Sequence, residues 1–502
     1  MLLREKTGFL TKSMVLLMLK SIDFYLIKNY TNSVKRYFKG GKNMDKMADV
    51  LGRAGAWCGQ NKYLSAIKNA FQTFMPLTIA GAIGVLWGNV LVSETSGLGM
   101  FFKPIMALDF LNPAFSAVSF ATISCITVGV TFGIAQEIGE SNGETGYFAG
   151  ILGLACWLSV TQNGFGAMPN AAGQGYALID TAAKTVVLNG DGAATFFAGL
   201  PGGALGATGL FTGMIIGVLS IEIFCALRKV EWLKLKMPET VPPGVARAFE
   251  VMIPAVITIV FIAIVGHCAF LLTDGLYLND IISTYIQQPL SAIGASVPGV
   301  IVIYIVIMLF WLVGIHGNNM LAAVKEGLFT PIMLENVEIY KRTKDANSDE
   351  LGIFAMAWLQ MFGEFGGSGV TIGLIVAMLI FSRREDNRAV ATLSLVPGLF
   401  NINETVTFGV PMVLNPILGI PFVLAPIATL AVGYVLTVVG FCPKAVVPTP
   451  WTTPPILHGF LTTGASIMGA VSQAIALVVS ILVYVPFLIA YEKYQNKQAA
   501  GE

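Results

Sequence analysis

The sequence predicts an all-α polytopic membrane protein, with about ten transmembrane helices and two re-entrant hairpins. Three observations carry this. Hydrophobic residues make up 55% of the 502 and charged residues only 12%, against about 25% charged in a soluble domain. The mean hydropathy is +0.73. Polar, glycine- and proline-bearing stretches interrupt the apolar segments in the second half without being long enough to form a domain. Backbone in lipid must satisfy its own hydrogen bonds, so spans are helices, and broken backbone survives only against protein or water. The length allows roughly ten spans of about 20 residues. The 54 glycines suit close helix packing and broken helices.

Charge sets the orientation. Net charge is +1, yet residues 1–69 hold 13 Lys/Arg against 4 Asp/Glu. A basic segment before the first span belongs in the cytoplasm. The six cysteines show no CxxC or metal spacing and read as small apolar residues. No Walker A sequence or nucleotide domain occurs. No metal, cofactor or nucleic-acid partner is expected.

Residues 1–43 differ from the rest. Met14 to Leu19 is a short apolar run interrupted by Lys20 and Asp23, with no small-residue cleavage site after it; it is too short to span and a poor signal peptide. Codons for Gly40-Gly41, just before Met44, can spell a ribosome-binding purine run. Residues 1–43 are therefore expected to be a non-native or disordered extension. Residues 44–250 form an N-terminal membrane half and 251–502 a C-terminal one.

From Gln60 to Met75, apolar residues at helical spacing beside Lys62 and Lys68 predict an interfacial helix. Spans are expected at 74–92, 117–136, 145–161, 205–227, 251–273 and 297–315. The basic loop from Arg228 to Lys236, with Arg247, follows four spans and so returns to the cytoplasm. That leaves 162–204 as an external loop. Residues 316–335 are too polar to span and predict the first hairpin; 340–350 is a solvated loop. Two apolar pieces, 351–363 and 369–382, flank Glu364–Ser368. The second hairpin is 391–416, followed by a span at 417–440, a Pro-rich loop at 441–459 and a last span at about 460–491. The tail is cytoplasmic.

The stretch Phe400 to Pro416 (FNINETVTFGVPMVLNP) organises the rest. Glu404 costs a few kcal/mol if it faces lipid, so it marks a polar cavity or a bound group. Pro411 and Pro416 remove backbone donors and Gly409 permits tight geometry, which argues against a straight helix. The loop presents Asn401, Asn403 and Glu404 to a polar ligand. His316, in WLVGIHGNN with Asn318 and Asn319, suits a hydroxylated ligand or a purely structural role. Trp311 and Trp451 could stack on sugar faces or belong to an interfacial belt. The glycines of 363–369 allow close approach of substrate or of a neighbouring helix. A transporter for something small, polar and hydroxylated follows; its energy source does not.

The motifs WLVGIHGNN at 311–319, EFGGSG at 364–369, FNINE at 400–404, PMVLNP at 411–416 and TPWTTPP at 449–455 occur in one order, after NKYLSAI at 61–67. In this the chain resembles the enzyme IIC permeases of the bacterial phosphotransferase system, in the lactose/cellobiose/diacetylchitobiose branch, from about Met44 onwards. The resemblance implies a homodimer in the bacterial cytoplasmic membrane, with both termini cytoplasmic, an N-terminal dimer interface and a mobile sugar-holding C-terminal half. It implies a disaccharide substrate, β-linked and cellobiose-type as a first guess, and a phosphorylated IIB subunit, charged by IIA, as donor. His316 and Glu404 would hold the sugar 6-hydroxyl as the catalytic pair. Trp311, Trp451, Asn403 and Gly367 would contact the sugar, with Asn318, Asn319 and Thr452 beside them. The family often has Pro after NINE where this chain has Thr405, which would place the hairpin tip differently. The competing classes are a proton-coupled secondary transporter, with Glu404 cycling a proton, and a sugar sensor. Mass spectrometry of the natively expressed protein is expected to find Met44 as the first residue; a peptide from 1–43 would refute that start.

Overall fold

The computed structural model describes residues 41–499 apart from 94–98, 100–101, 170–175, 180–194 and the single positions 236, 239, 274, 411, 414 and 416. The expectation for 1–43 lies outside these residues save at its end, where α1 (Gly41–Gln60) begins. Pro411 and Pro416 also lie outside them.

Asn61 caps the next helix, its side chain accepting from the Tyr63 and Leu64 N–H groups at 3.1 Å. That helix, α2 (Lys62–Leu86), continues through a π turn at Trp87–Leu91. The expected interfacial helix and first span are therefore one unbroken helix of 30 residues. Its antiparallel partner is α3 (Asn112–Ser119), a π turn (Phe120–Ser124) and α4 (Ile126–Ser141). Gly84 lies against Ser119, Gly81 against Thr122 and Ile123, and Gly129 against the Phe74 ring. Asn69 donates to Glu137 at 2.9 Å further along. Glycine at these positions lets two helices approach closely where no hydrophobic force would drive them together in lipid.

Helix α5 (Phe148–Ser159) has only 12 residues, short of the about 20 that cross a bilayer. Trp157, fully buried, anchors it. The segment expected as a plain external loop, 162–204, carries a small antiparallel sheet of β1 (Gly164–Pro169), β2 (Tyr176–Ile179) and β3 (Thr195–Ala198) in the order β2-β1-β3. Then α6 (Leu210–Arg228) and α7 (Pro243–Leu272) take the expected spans. Arg228 pairs with Glu144 and, at 2.8 Å, with Glu250, tying this end of the half together.

After α7 comes an element the sequence concealed. Leu278–Gly294 (α8) bends by 72° into α9 (Val297–Leu312); Asn279, Asp280, Gln287 and Gln288 disguise its apolar character. The chain reverses over 313–321, where Gly314 adopts φ +84° and Gly317 lies on the Ile307 carbonyl. No hairpin closes within 316–335. A single helix of 22 residues, α10 (Ala322–Thr343), follows the reversal, because Ala322 to Leu328 are mostly good helix formers and Pro331 is accommodated inside it. It runs parallel to α2: Gln72 and Glu326 flank one cavity, and Lys344 bonds Asn89 at the far end.

Helices α11 (Met356–Gly363) and α12 (Ile372–Phe381) are bent by 61° around the glycine-rich break. The second hairpin forms as expected: α13 (Glu385–Leu399) rises, the chain turns at 400–403, and α14 (Glu404–Gly409) returns with Gly409 against Val390. Its base is held by Glu492 of the last helix, α16 (Ile467–Ala499), after α15 (Gly419–Val438). The Glu492 carboxylate accepts from the Ser382 hydroxyl and, at 3.2 Å each, from the Arg383 N–H and the Asn387 amide. Among the described residues six helices are long and apolar enough to cross a membrane, and the two bent pairs bring the number to as many as eight.

The tightness of the α2–α4 seam gives a stability test. Gly129→Val would drive a side chain into Phe74 and should cost about 1–3 kcal/mol. Thermal unfolding in detergent would read it, with partial recovery when Phe74→Leu is added; an unchanged midpoint would refute the contact.

Candidate functional site

Three breaks in helices meet in one place: the reversal at His316, the kink at 364–370 and the tip at 400–403. With Trp451 from the Pro-rich loop they enclose a cavity of about 610 Å³, within the range of about 300–1,000 Å³ of small-molecule sites.

Asparagines lock the breaks together. Asn401 sits in the left-handed region at φ +64°, a conformation its short amide tolerates. Its Oδ1 accepts from the Gly366 N–H at 2.6 Å. Its Nδ2 donates to the Trp451 carbonyl and, at 3.0 Å, to that of Thr453. Asn403, buried, donates to the Ser368 carbonyl at 2.9 Å, and Asn318 donates to the Ser368 hydroxyl at 2.8 Å. Gly367 has φ +89°, and a Cβ there would meet Asn403 at 2.6 Å, so glycine is required on both counts.

His316 and Glu404 face each other across this cavity, Nε2 to Oε1 3.8 Å apart. The Asn319 N–H donates to His316 Nδ1 at 3.3 Å, which turns Nε2 toward the carboxylate. At 3.8 Å the two are not directly hydrogen-bonded. A single hydroxyl placed beside the pair, on the cavity side, can bridge them, donating to the carboxylate and accepting from the imidazole N–H.

Of the residues expected from sequence, His316, Asn318, Asn319, Gly367, Asn403, Glu404 and Trp451 line the cavity. Trp311 does not. It is 3% exposed and packs beneath His316 with ring centroids 4.5 Å apart, and against Phe422 at 6.4 Å. Thr452 also lies off the wall, although its neighbour Trp451 is 43% exposed on it.

The sequence reading missed a buried ion pair. Lys325 of α10, 6% exposed, pairs with Glu364 and donates to Asn318 Oδ1 at 2.9 Å. Glu364 also accepts from the Tyr304 hydroxyl at 2.9 Å. Gln72, Glu326 and Gln360 complete the polar wall. Lys325, Glu326 and Glu364 could have been found as ionisable residues inside apolar segments. Gln72 could not, since it sits on the polar side of a helix read as interfacial.

A helical membrane protein whose broken helices converge on a polar, sugar-sized cavity belongs to the class of membrane transporters for small polar solutes. Comparison narrows the class. Residues 68–426 match the family described as Phosphotransferase system, EIIC, and the chain belongs to that family. It is 31% identical over 450 residues to the lichenan permease IIC component of Bacillus subtilis (strain 168), covering 89% of this chain and 93% of the relative. It is 29% identical over 487 residues to the PTS system cellobiose-specific EIIC component of Lactococcus lactis subsp. lactis (strain IL1403), covering 90% and 98%. The solved structure of the transporter ChbC, the IIC component from the N,N'-diacetylchitobiose-specific phosphotransferase system, is similar with a TM-score of 0.77 at 29% identity, covering 89% of this chain and 97% of that one. The protein is thus a multi-pass permease component of a sugar phosphotransferase system.

The ion pair yields a measurable asymmetry. Lys325→Met strands a buried carboxylate and should destabilise by about 3–5 kcal/mol, whereas Lys325→Met with Glu364→Gln should recover most of that. Thermal unfolding of the two variants checks it; equal losses would mean the pair is not coupled.

Proposed function

We propose that this chain binds a β-linked disaccharide, cellobiose-type first, carries it across the membrane and presents its 6-hydroxyl to a phosphorylated IIB subunit. The facing pair His316 and Glu404 carries the reading. Its spacing suits a single hydroxyl, and the two sequence relatives are named for cellobiose and for lichenan. The donor is a phosphocysteine on IIB, itself recharged by IIA. The cysteine S–P bond breaks as the O6–P bond forms, with the two oriented in line; the O6 proton passes to the Glu404 carboxylate while the His316 Nε2–H donates to O6, and the cysteine leaves as thiolate. Positioning and charge supply most of the rate in such transfers.

The orientation fits a cytoplasmic donor. The basic corner Ser382–Arg388 lies beside the C-terminal helix, where Arg384 donates to Asn496 at 2.7 Å, so the hairpin carrying Glu404 rises from the side on which Lys/Arg concentrate. The N-terminal α1 packs there too, Gly55 against Ile315 and Gly59 against Met320. Both termini are then cytoplasmic in a bacterial cell membrane, and the chain works as a homodimer.

Vesicles carrying the protein should accumulate cellobiose 6-phosphate only when IIB, IIA and phosphoenolpyruvate are supplied. Glu404→Gln should then cut phosphorylation by about 10²–10⁴-fold. Free cellobiose accumulating on a proton gradient alone would replace this mechanism with proton-coupled transport.

A further inference from the structure

A second recess lies roughly four turns of α10 beyond Lys325, and it shares no lining residue with the cavity of His316 and Glu404. It encloses about 300 Å³ between α2, α3 and the C-terminal end of α10. Lys341 and Lys344 supply its charge, and Asn89, Asn112, Ser116 and Ser119 its polar wall. The last three stand at i, i+4 and i+7, on one face of α3.

These groups do not satisfy one another. Lys341 donates to Glu338 at 2.9 Å and to the Ser124 hydroxyl at 3.2 Å. Lys344 bonds the Asn89 amide oxygen and, among the described residues, has no carboxylate partner. Its backbone is left-handed at φ +58°, where glycine or asparagine is usual at a helix C-terminus, so a lysine stands there against backbone preference. Burial and the neighbouring Lys341 hold its amine below the ordinary lysine range, as happens when two cations share a space with too little negative charge. Ser119 is 2% exposed, yet its hydroxyl has no hydrogen-bond partner among the described residues, and neither has the Asn112 amide oxygen. The Asn112 amide N–H is taken by Asp109, whose carboxylate is not part of the wall. Buried polar atoms are rarely left this way unless something else completes them.

We infer that this recess binds the phosphate of an anionic phospholipid headgroup that also carries free hydroxyls. A phosphodiester takes charge-assisted bonds from the two lysines and accepts from the Ser119 hydroxyl, while a headgroup hydroxyl donates to the Asn112 amide oxygen. The surroundings favour a lipid over a soluble phosphate. The span 103–124, which carries the polar face, exposes Phe110, Val118 and Phe120, an apolar surface for acyl chains. Trp87 and Phe115, each one residue from the wall, stack at 4.0 Å, and aromatic residues of this kind concentrate at headgroup level. The lysines come from α10 and the polar wall from α2 and α3, so an occupant ties these helices together at the end remote from the substrate cavity.

Native mass spectrometry of the delipidated full chain, titrated with phosphatidylglycerol, phosphatidylcholine or glycerol 3-phosphate, tests this. Phosphatidylglycerol should bind most tightly, and Lys344→Gln should weaken it about tenfold while Lys344→Arg retains it. Gly88→Leu keeps both lysines and should weaken binding as much by filling the recess, since a Cβ there meets nothing closer than Asn112 Oδ1 at 3.9 Å. Lys234→Gln, in the loop after α6, should change nothing. Thermal unfolding without lipid reports the fold of each variant. Equal weakening by Lys344→Gln and Lys234→Gln, or none by a folded Lys344→Gln, overturns the site. Phosphatidylcholine binding as tightly as phosphatidylglycerol overturns its selectivity for an anionic headgroup. Glycerol 3-phosphate binding as tightly, and lost in the same variants, overturns the lipid in favour of a soluble phosphate.

Discussion

Backbone that leaves helical geometry at membrane depth has to find its hydrogen bonds in protein, and that constraint shapes the C-terminal half. Each break here exposes donors and acceptors that lipid cannot satisfy. Asn401, Asn403 and Asn318 meet the need by bonding across breaks rather than within them. The Gly366 N–H, the Ser368 carbonyl and hydroxyl, and the carbonyls of Trp451 and Thr453 are all taken up this way. The same bonds that satisfy the backbone also hold His316, Glu404 and Trp451 in mutual register. Gly367 is part of the same lock, since any side chain there would push Asn403 away from Ser368.

The two charge pairs of the cavity are of different kinds. Lys325 and Glu364 are buried and closed on each other, with Asn318 and Tyr304 completing their hydrogen bonds. Such a pair is weak evidence of stabilisation but costly to break, so it fixes geometry. His316 and Glu404 are instead both accessible from the cavity and held apart, with side-chain exposures of 37% and 47%. The open pair is the one available to a ligand, and the closed pair borders the floor from which His316 and Asn318 rise. Trp311 belongs to that floor as well: its ring packs beneath His316, with centroids 4.5 Å apart.

Much of this was legible in the sequence, for one physical reason. Polar residues in apolar surroundings are expensive, so Glu404, His316 and the asparagines beside them announce a cavity. The kink at 364–370 was visible through its glycines. What stayed hidden depends on direction, which composition does not encode. Trp311 and Trp451 looked alike as aromatics in broken segments, yet only Trp451 faces the cavity. The 278–294 helix was obscured because its amides and Asp280 diluted the hydropathy on which a span is recognised. The continuous α10 was obscured in the same way by Lys325 and Glu326, whose polarity serves the cavity rather than a turn. Gln72 lay in a helix whose polar side was assigned to the membrane surface; the structure places Gln72 on the cavity wall with Glu326 of α10 and Gln360 of α11.

The exchange of the usual proline for Thr405 shows how position decides the weight of a substitution. From sequence alone, a restored N–H and a freer φ suggest a displaced tip. In the structure α14 starts at Glu404, which puts residue 405 in its first turn. The N–H groups of a first turn have no intrahelical acceptor, and proline is tolerated there for that reason. Threonine in the same place forfeits no helical bond and gains none, and its side chain is exposed. The tip is held instead by Asn401 and Asn403, one turn earlier, and by the Thr407 hydroxyl, which donates to the Asn403 carbonyl at 2.7 Å. The geometry that places Glu404 opposite His316 is therefore set by residues on either side of Thr405, and a proline in its place would leave those bonds intact.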